Sequence, residues 1–599
     1  MCKRIWLFLL SSILCCNVYA SSPEPPKNIN NGDTKAVTKY LDKLINYWLE
    51  EDELISLSIA IVSDNDIVWQ KAYGLKDIDT EIPVTQESVY RIGAVSGVLT
   101  AALVMRLVEL GKLNLEDSID KYIPELKFKY HDNKKYQINI KNLLTHHAGL
   151  PLSRFSGSWS VPAKDFRDLP ALLNQSYASY PPATVYAYSN LGYSLLALVV
   201  ERATRISFEQ ALGQYILKPL GMAHTHVRLT NEIKTQLTTE YRKGEEIDRL
   251  FPRDIASIGL FSNVGDLSKF LRMLIFEGDV PVLSKSSIRS MLSQQNEDIT
   301  LDLEKQIGFG VNIGGMDVSN AGNVIWRSGA TLGHRARVAI LSEHKLGVVV
   351  LSNDSRAWDA ITEIAERSLQ TMLQMKTGIK PVDEKKKLES TKVIGSISPL
   401  PDSYSSFLGF IPIEKNDGTI SAKLLGWPLR VQAAERGWYT LEYDLFGIIP
   451  IDVSWIADLK VRPARINKHQ VLIAHFKNKQ FLIGDHVSFN PIHSAWKKRI
   501  GDYRIINHDA LLKNMEISQG KLIQQEGKLF FIYEVPDWFG MELQVPLNTL
   551  SDDMAIIPGL GTALNETIQI KRFGIKEYIG YSGYLLERIK EDDSLWGMF

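Results

Sequence analysis

Arg91-Ile-Gly-Ala-Val-Ser-Gly-Val98 is the stretch around which residues 35–375 organise. It lies where strand-rich sequence gives way to a long apolar run, Val95 to Leu110, closed by Gly111 as a left-handed cap. Upstream, Val37, Leu41, Leu44, Ile45 and Trp48 recur on one helical face. The strands Leu57–Val62 and Ile67–Gly74 follow, with Ser63-Asp-Asn-Asp66 as their turn. Downstream, residues 141–151 pass from helix to loop. Tyr186-Ala-Tyr-Ser-Asn-Leu-Gly192 opens a helix to about Ala203, whose apolar face is Leu195, Leu196, Val199 and Val200. Ile258–Ser262 leads into a helix from Gly265 to Leu274. Trp326–Ala330, Ala336–Leu341 and Leu346–Leu351 read as adjoining strands before a helix from Trp358 to Met375. With strands at both ends of the region and no βαβ run, the layout predicts an α+β fold with helices around an antiparallel sheet.

The pattern breaks at Lys376–Pro401, charged through Asp383-Glu-Lys-Lys-Lys387 and then rich in Gly, Ser and Pro, which reads as a linker. Beyond it, short alternating runs with turn residues and aromatics predict one or two small antiparallel β-barrel domains, 402–490 and 491–599. Two sandwiches, or one larger β domain, are the alternatives. A weak repeat links Tyr404, five residues before Gly409-Phe410, with Trp496, five before Gly501-Asp-Tyr503.

At 599 residues the chain is too long for one core and predicts about two to four domains. Hydrophobic residues at 45% and charged residues at 23% are ordinary globular values, and a net charge of −1 gives no footprint for nucleic acid. Lys3-Arg4, the apolar Ile5–Cys16 and Val18-Tyr19-Ala20 form a basic, apolar and small-x-small series that reads as a signal peptide over 1–20. The apolar part is too short to span a bilayer, so no membrane span is expected after cleavage. Lipid modification at Cys15 or Cys16 is the rival reading. All three cysteines (Cys2, Cys15, Cys16) fall there, so the mature chain, which opens on a Pro/Asn/Gly-rich stretch over 21–35 that reads as a flexible leader, carries no thiol chemistry. The expected location is periplasmic or extracellular.

Several segments occur together in one order: Tyr90-Arg-Ile-Gly93, Leu143-Leu-Thr145 with Gly149-Leu-Pro151, Tyr188-Ser-Asn190, Pro219-Leu-Gly-Met222, Gly259-Leu260 before Asp266-Leu267, and Arg327-Ser-Gly-Ala330. On these, residues 36–375 resemble the serine β-lactamase and D-Ala-D-Ala peptidase superfamily, which includes penicillin-binding proteins, nearest its class C-like esterases and D-aminopeptidases. The β-rich tail resembles the extra domains of the latter. The resemblance implies a serine nucleophile with a lysine one helical turn on, a Tyr-x-Asn relay, a cationic strand for the substrate carboxylate, and two amides for the oxyanion.

Here the serine and lysine places hold Ala94 and Gly97. Tyr188 and Asn190 are retained. Arg327, with Ser328, Gly329 and Ala330, stands for the binding strand, its guanidinium suited to a bidentate carboxylate grip. The amides of Ala94 and Ala330 are the expected oxyanion donors. Ser96 lies about 200° round the helix from Ala94, away from the cleft. Ser494-Ala-Trp-Lys497 and Ser518-Gln-Gly-Lys521 repeat the pattern only in the β-rich tail. Losing such a nucleophile costs on the order of a million-fold in turnover, which leaves about a thousand-fold over water from the oxyanion donors. Glycine at 97 costs about 1 kcal/mol against alanine in a helix and is expected to enlarge the pocket floor.

The histidines read as structural. His146 and His147 are adjacent and splay apart. His224 and His226 lack a third ligand at metal spacing. His334, just past the Arg327 strand, reads as packing. No metal or cofactor is expected. The leading expectation is an exported pseudoenzyme whose cleft binds peptidoglycan-derived or carboxylate-terminated peptides. The alternatives are a serine-independent hydrolase, esterase or D-aminopeptidase-like, using Tyr188, and an interaction protein working through its C-terminal β domains.

Overall fold

The computed structural model describes residues 22–589 apart from 276–281, 317, 319–320, 381–393, 417, 425, 446–448, 452–458, 477–478 and 536–540. The signal-peptide reading, the three cysteines and half of the linker lie outside the described residues. Among the described residues no helix is long and apolar enough to cross a membrane.

The first unit is an antiparallel sheet built from both ends of its sequence. Helix α1 (Thr34–Glu51) precedes β1 (Ser56–Ser63) and β2 (Asp66–Asp77). The apolar helix α2 (Ser96–Glu109), α3 (Asn190–Thr204) and α4 (Val264–Ile275) follow, then β3 (Ile325–Ala330), β4 (Arg335–Leu341), β5 (Leu346–Ser352) and α5 (Trp358–Thr377). The sheet order is Gln306–Ile307, Asn312–Ile313, β3, β4, β5, β1, β2, Ile82–Pro83. Because β1 lies between β5 and β2 with both faces covered, Leu57 to Val62 is buried throughout and reads as a continuous apolar run. Alternate residues serve different cores. Ala60 and Val62 pack with α2, α3 and α4, whereas Ile59 and Ile61 pack with α1 and α5.

The predicted leader is not loose where it is described. The Ser22 hydroxyl donates to Glu363, the Gln374 amide donates to the Lys27 carbonyl, and Ile29 joins the α1–α5 core. Its prolines and asparagines mark an irregular strand that packs through side chains and one carbonyl rather than by regular structure.

Two eight-stranded rings follow, settling the choice between two barrels and one larger β domain. In the first, Ser403–Ser406, Gly409–Asn416, Thr419–Leu424, Trp427–Ala433, Tyr439–Leu445, Lys460–Ile466, His469–Phe476 and Lys479–Asp485 pair in turn. The ring shuts through Tyr439↔Val461 and Ser405↔Asp485. Ser396–Ile397, within the predicted linker, adds to the Lys460–Ile466 strand. The second is a closed barrel from Gly501–Ile505 to Tyr584–Arg588, shut by Tyr503↔Arg588. Its core includes Trp496, fully buried, on the short helix Ser494–Lys497. Ser518-Gln-Gly-Lys521 there runs into the strand Gln519–Gln525.

Candidate functional site

The quoted stretch is anchored by a buried cation. Tyr90–Arg91 pairs with Phe261–Ser262, which threads the Arg91 guanidinium among Phe261, Phe251 and Trp159, with ring centres 4.5, 5.0 and 5.9 Å away. Arg91 donates to Glu240 at 2.8 Å and to the Leu250 carbonyl at 2.7 Å. That pairing outweighs the cost of burying Glu240 and holds its carboxyl well below the ordinary range. His334 is fully buried beside it, its Nε2 2.7 Å from the Thr238 hydroxyl, and does not line the cleft.

Behind Arg91 the chain makes a 3₁₀ turn over Gly93–Val95 and enters α2. Gly93 has φ +50°, and a Cβ there would lie 2.5 Å from the Ala330 nitrogen. A Cβ on Gly329 would in turn strike the Ile92 carbonyl and lie 2.9 Å from the Ala94 nitrogen. Two glycines thus let main chains touch, and this brings the amides of Ala94 and Ala330 to one rim. Ser96 is buried, its hydroxyl accepting from the Leu260 amide at 3.1 Å.

Ala94, Tyr188, Asn190, Arg327, Ser328 and Ala330 line a single cleft of about 460 Å³. Its walls add Trp159, Trp326 and Trp358, with Ile258, Asn312, Thr331 and Leu332. The motifs mark none of these seven as a cleft residue: Trp326, Thr331 and Leu332 lie on or just past β3, and Trp159, Ile258, Asn312 and Trp358 come from four separate parts of the chain. Asn190 opens α3, and its side-chain oxygen accepts from Tyr188 at 3.1 Å and from Ser257 at 2.7 Å. Ser257 was not foreseen either. Its hydroxyl is 3.4 Å from that of Tyr188, and the residue is only 2% exposed, so it steadies the Tyr188 and Asn190 side chains from behind the cleft wall.

Arg327 departs from the open grip expected of it. It is 6% exposed, its Nε donates to the Ala94 carbonyl at 3.3 Å, and its guanidinium lies 5.1 Å from the Tyr188 ring centre. Burial works against its charge, but a guanidinium stays cationic at any ordinary pH, and the surrounding oxygens of Tyr188 and Tyr186 favour the charged form. Among the described residues no carboxylate forms an ion pair with it. Burial raises the Tyr188 hydroxyl above the usual phenol range although Arg327 pulls the other way, so Tyr188 is a neutral donor at neutral pH.

Gly97 does not leave a roomier floor. A Cβ at 97 would meet the Tyr193 ring at 3.2 Å. That ring leans into the space a lysine would need, stacked on His146 at 4.9 Å, while its hydroxyl donates to the Leu144 carbonyl. His146 is buried with φ +60°, sits 4.4 Å from the Tyr188 ring, and accepts at Nδ1 from the Ser189 amide. Burial first, then Arg327, hold its imidazole neutral. His147 points elsewhere, to Asp302 at 2.7 Å. His224 contacts Gln236 and His226 the Ala223 carbonyl. Among the described residues no group of three or more His, Cys, Asp or Glu side chains is placed to hold a metal.

The second barrel supports the cleft wall. The Thr562 hydroxyl accepts from the Tyr188 amide at 2.9 Å, and Glu566 accepts from the Leu152 amide at 2.8 Å. Ser582 and Asp509 accept from the amides of Phe155 and Gly157, which lead to Trp159.

Residues 41–370 match the family model described as Beta-lactamase, and the chain belongs to that family. It is 24% identical over 320 residues to the protein flp of Staphylococcus aureus strain N315, a match covering 52% of this chain and 62% of that one. The matched segment therefore spans less than two thirds of those curated relatives. A beta-lactamase of Providencia stuartii is 29% identical over 238 residues, covering 39% of this chain and 59% of its own. Among solved structures, the octameric penicillin-binding protein homologue from Pyrococcus abyssi aligns with TM-score 0.50 and 21% identity, over 74% of this chain and 99% of its own. A structure titled SurE aligns at 0.55 and 19%, over 76% and 100%. These two likenesses concern the fold.

Proposed function

We propose that this β-lactamase-family chain binds peptides ending in a free carboxylate and does not acylate them. The observation that carries the reading is Arg327, a buried cation at the cleft floor with phenols around it and no ion-pair partner among the described residues. A buried charge without a counter-ion is costly, so an entering carboxylate gains more there than at the surface. Asn190 offers its amide to the peptide carbonyl, and Trp159, Trp326 and Trp358 flank the chain. The amides of Ala94 and Ala330 receive the terminal oxygens.

Ala94 supplies no oxygen. Tyr188, kept protonated by burial, is not the base that a serine-independent hydrolase needs at neutral pH. Peptidoglycan stem peptides have the required terminus, and export by the segment 1–20 would bring the cleft to them. Sequencing the mature N-terminus is expected to give Ser21, and a chain that keeps Met1 and stays with the cytoplasmic fraction would sink the export reading.

The test uses a dipeptide ending in D-alanyl-D-alanine, with its C-terminal amide as control. The acid is expected to raise the melting temperature, the amide to do so weakly, and Arg327→Ala to remove the difference. Equal effects of acid and amide would refute the carboxylate reading. Incubation with a labelled penicillin and mass measurement of the intact chain is expected to show no adduct. An adduct on any residue would overturn the claim that acylation is lost.

A further inference from the structure

The first barrel holds a cavity unconnected with the cleft. Its walls are residues two apart on successive strands, Ile411 with Ile413 and Leu429 with Val431, so one face of each strand points inward. Ala422 adds the smallest of these side chains. The outward alternation is also used, since Val471 and Ile473 pack against Tyr180, Val185 and Leu301 of the first unit, while Leu472 faces in. That outer face explains burial of the strand but not why the inside is left unfilled.

The cavity measures about 240 Å³, and among the described residues Ser406 is the one lining it with a polar side chain. Phe407 and Phe481 line it too and are 57% and 36% exposed, which places them where it meets solvent. Eight-stranded rings are just wide enough either to be filled by side chains or to hold one small ligand. Water gains little here, because a buried water needs two to four polar partners, and an apolar cavity of ~150 Å³ stays dry and takes up a six-carbon hydrocarbon.

From these walls we infer that the first barrel binds a single linear alkyl chain of roughly eight to ten carbons, by the same ratio of volume to carbon. The chain enters between Phe407 and Phe481 and keeps its polar end in solvent. No charged side chain lines the wall among the described residues, so selectivity rests on length. Whether the chain belongs to a free amphiphile or to a membrane lipid, the recognised chemistry is the same.

The experiment titrates the full chain with linear 1-alkanols from butanol to dodecanol, which lack the carboxylate that the cleft would grip. Affinity is expected to rise about fourfold per methylene and to level off near ten carbons. Ala422→Phe, which fills the cavity, is expected to abolish binding. If that variant does not fold, Val431→Ala must shift the plateau to longer chains. No binding of any alkanol, affinity independent of length, unchanged binding to a folded Ala422→Phe, or an unmoved plateau in Val431→Ala would each overturn the inference. Transfer of a fluorescent-acyl phosphatidylcholine from vesicles to the chain, blocked by Ala422→Phe, would identify the alkyl chain as one drawn from a lipid, and no transfer would identify a free amphiphile. Either result is consistent with the site.

Discussion

The two barrels share a strand number and differ in what they enclose. The first keeps a cavity of about 240 Å³, whereas the second has a whole indole in its core. Trp496 comes from a short helix ahead of the ring, its Nε1 donating to the Ser551 carbonyl, whereas its counterpart Tyr404 lies on a strand. Strand count sets the bore of a barrel, and a single side chain delivered from outside the strands decides how much of it is left over. The rings differ in duty as well. The second supports the cleft through Thr562, Glu566, Asp509 and Ser582, while the first meets the loops at 180–187 and 301 through its outer face.

The largest expected effect comes from breaking the filled ring. Trp496→Ala should cost about 3–5 kcal/mol, read as a shifted denaturation midpoint of the second barrel. A loss under 1 kcal/mol would mean the indole is not what fills it. In the first barrel, Leu429→Ala should cost about 2–3 kcal/mol, at the low end for a buried leucine, because that side chain already borders empty space. A cost equal to that of Trp496→Ala would erase the contrast.

Thr562→Val removes the acceptor for the Tyr188 amide and should cost about 1 kcal/mol. It should also shrink the peptide-induced rise in melting temperature, and an unchanged rise would show that the barrel does not steady the cleft. The smallest effect at any single pH belongs to Glu566→Gln. Burial raises the Glu566 carboxyl above its ordinary 4.5, with the bonds from Leu152 and Tyr581 opposing. The folded state thus holds the proton more tightly, and stability is lost as pH rises from about 4.5 through the raised value. The glutamine variant should flatten that decline, and parallel melting-temperature profiles would refute the assignment.

Much of this was legible in the sequence. Alternation and helical periodicity gave the α+β sheet, and turn-punctuated alternating strands gave the barrels. Arg327, Tyr188, Asn190 and Ala94 were identified by motif, and they line one cleft. Their arrangement was not legible, because it depends on partners far along the chain. Gly97 reads locally as added space, yet Tyr193 on another helix takes that space. Arg327 reads as a carboxylate grip open to the cleft, yet its Nε donates inward to the Ala94 carbonyl, a partner 233 residues away. Ser257 carries no local signal at all, since only the fold sets its hydroxyl beside Tyr188 and Asn190.

The bond from the Tyr188 amide to Thr562 bridges 374 residues. A ribosome adding about 5–20 residues per second needs about 20–75 s to cover that distance. During synthesis the sheet and its helices can assemble early, but the wall that faces a ligand waits for nearly the last strands to emerge. The cleft is thus finished late in the life of the nascent chain, and a truncated product would display a folded first unit with an unfinished pocket.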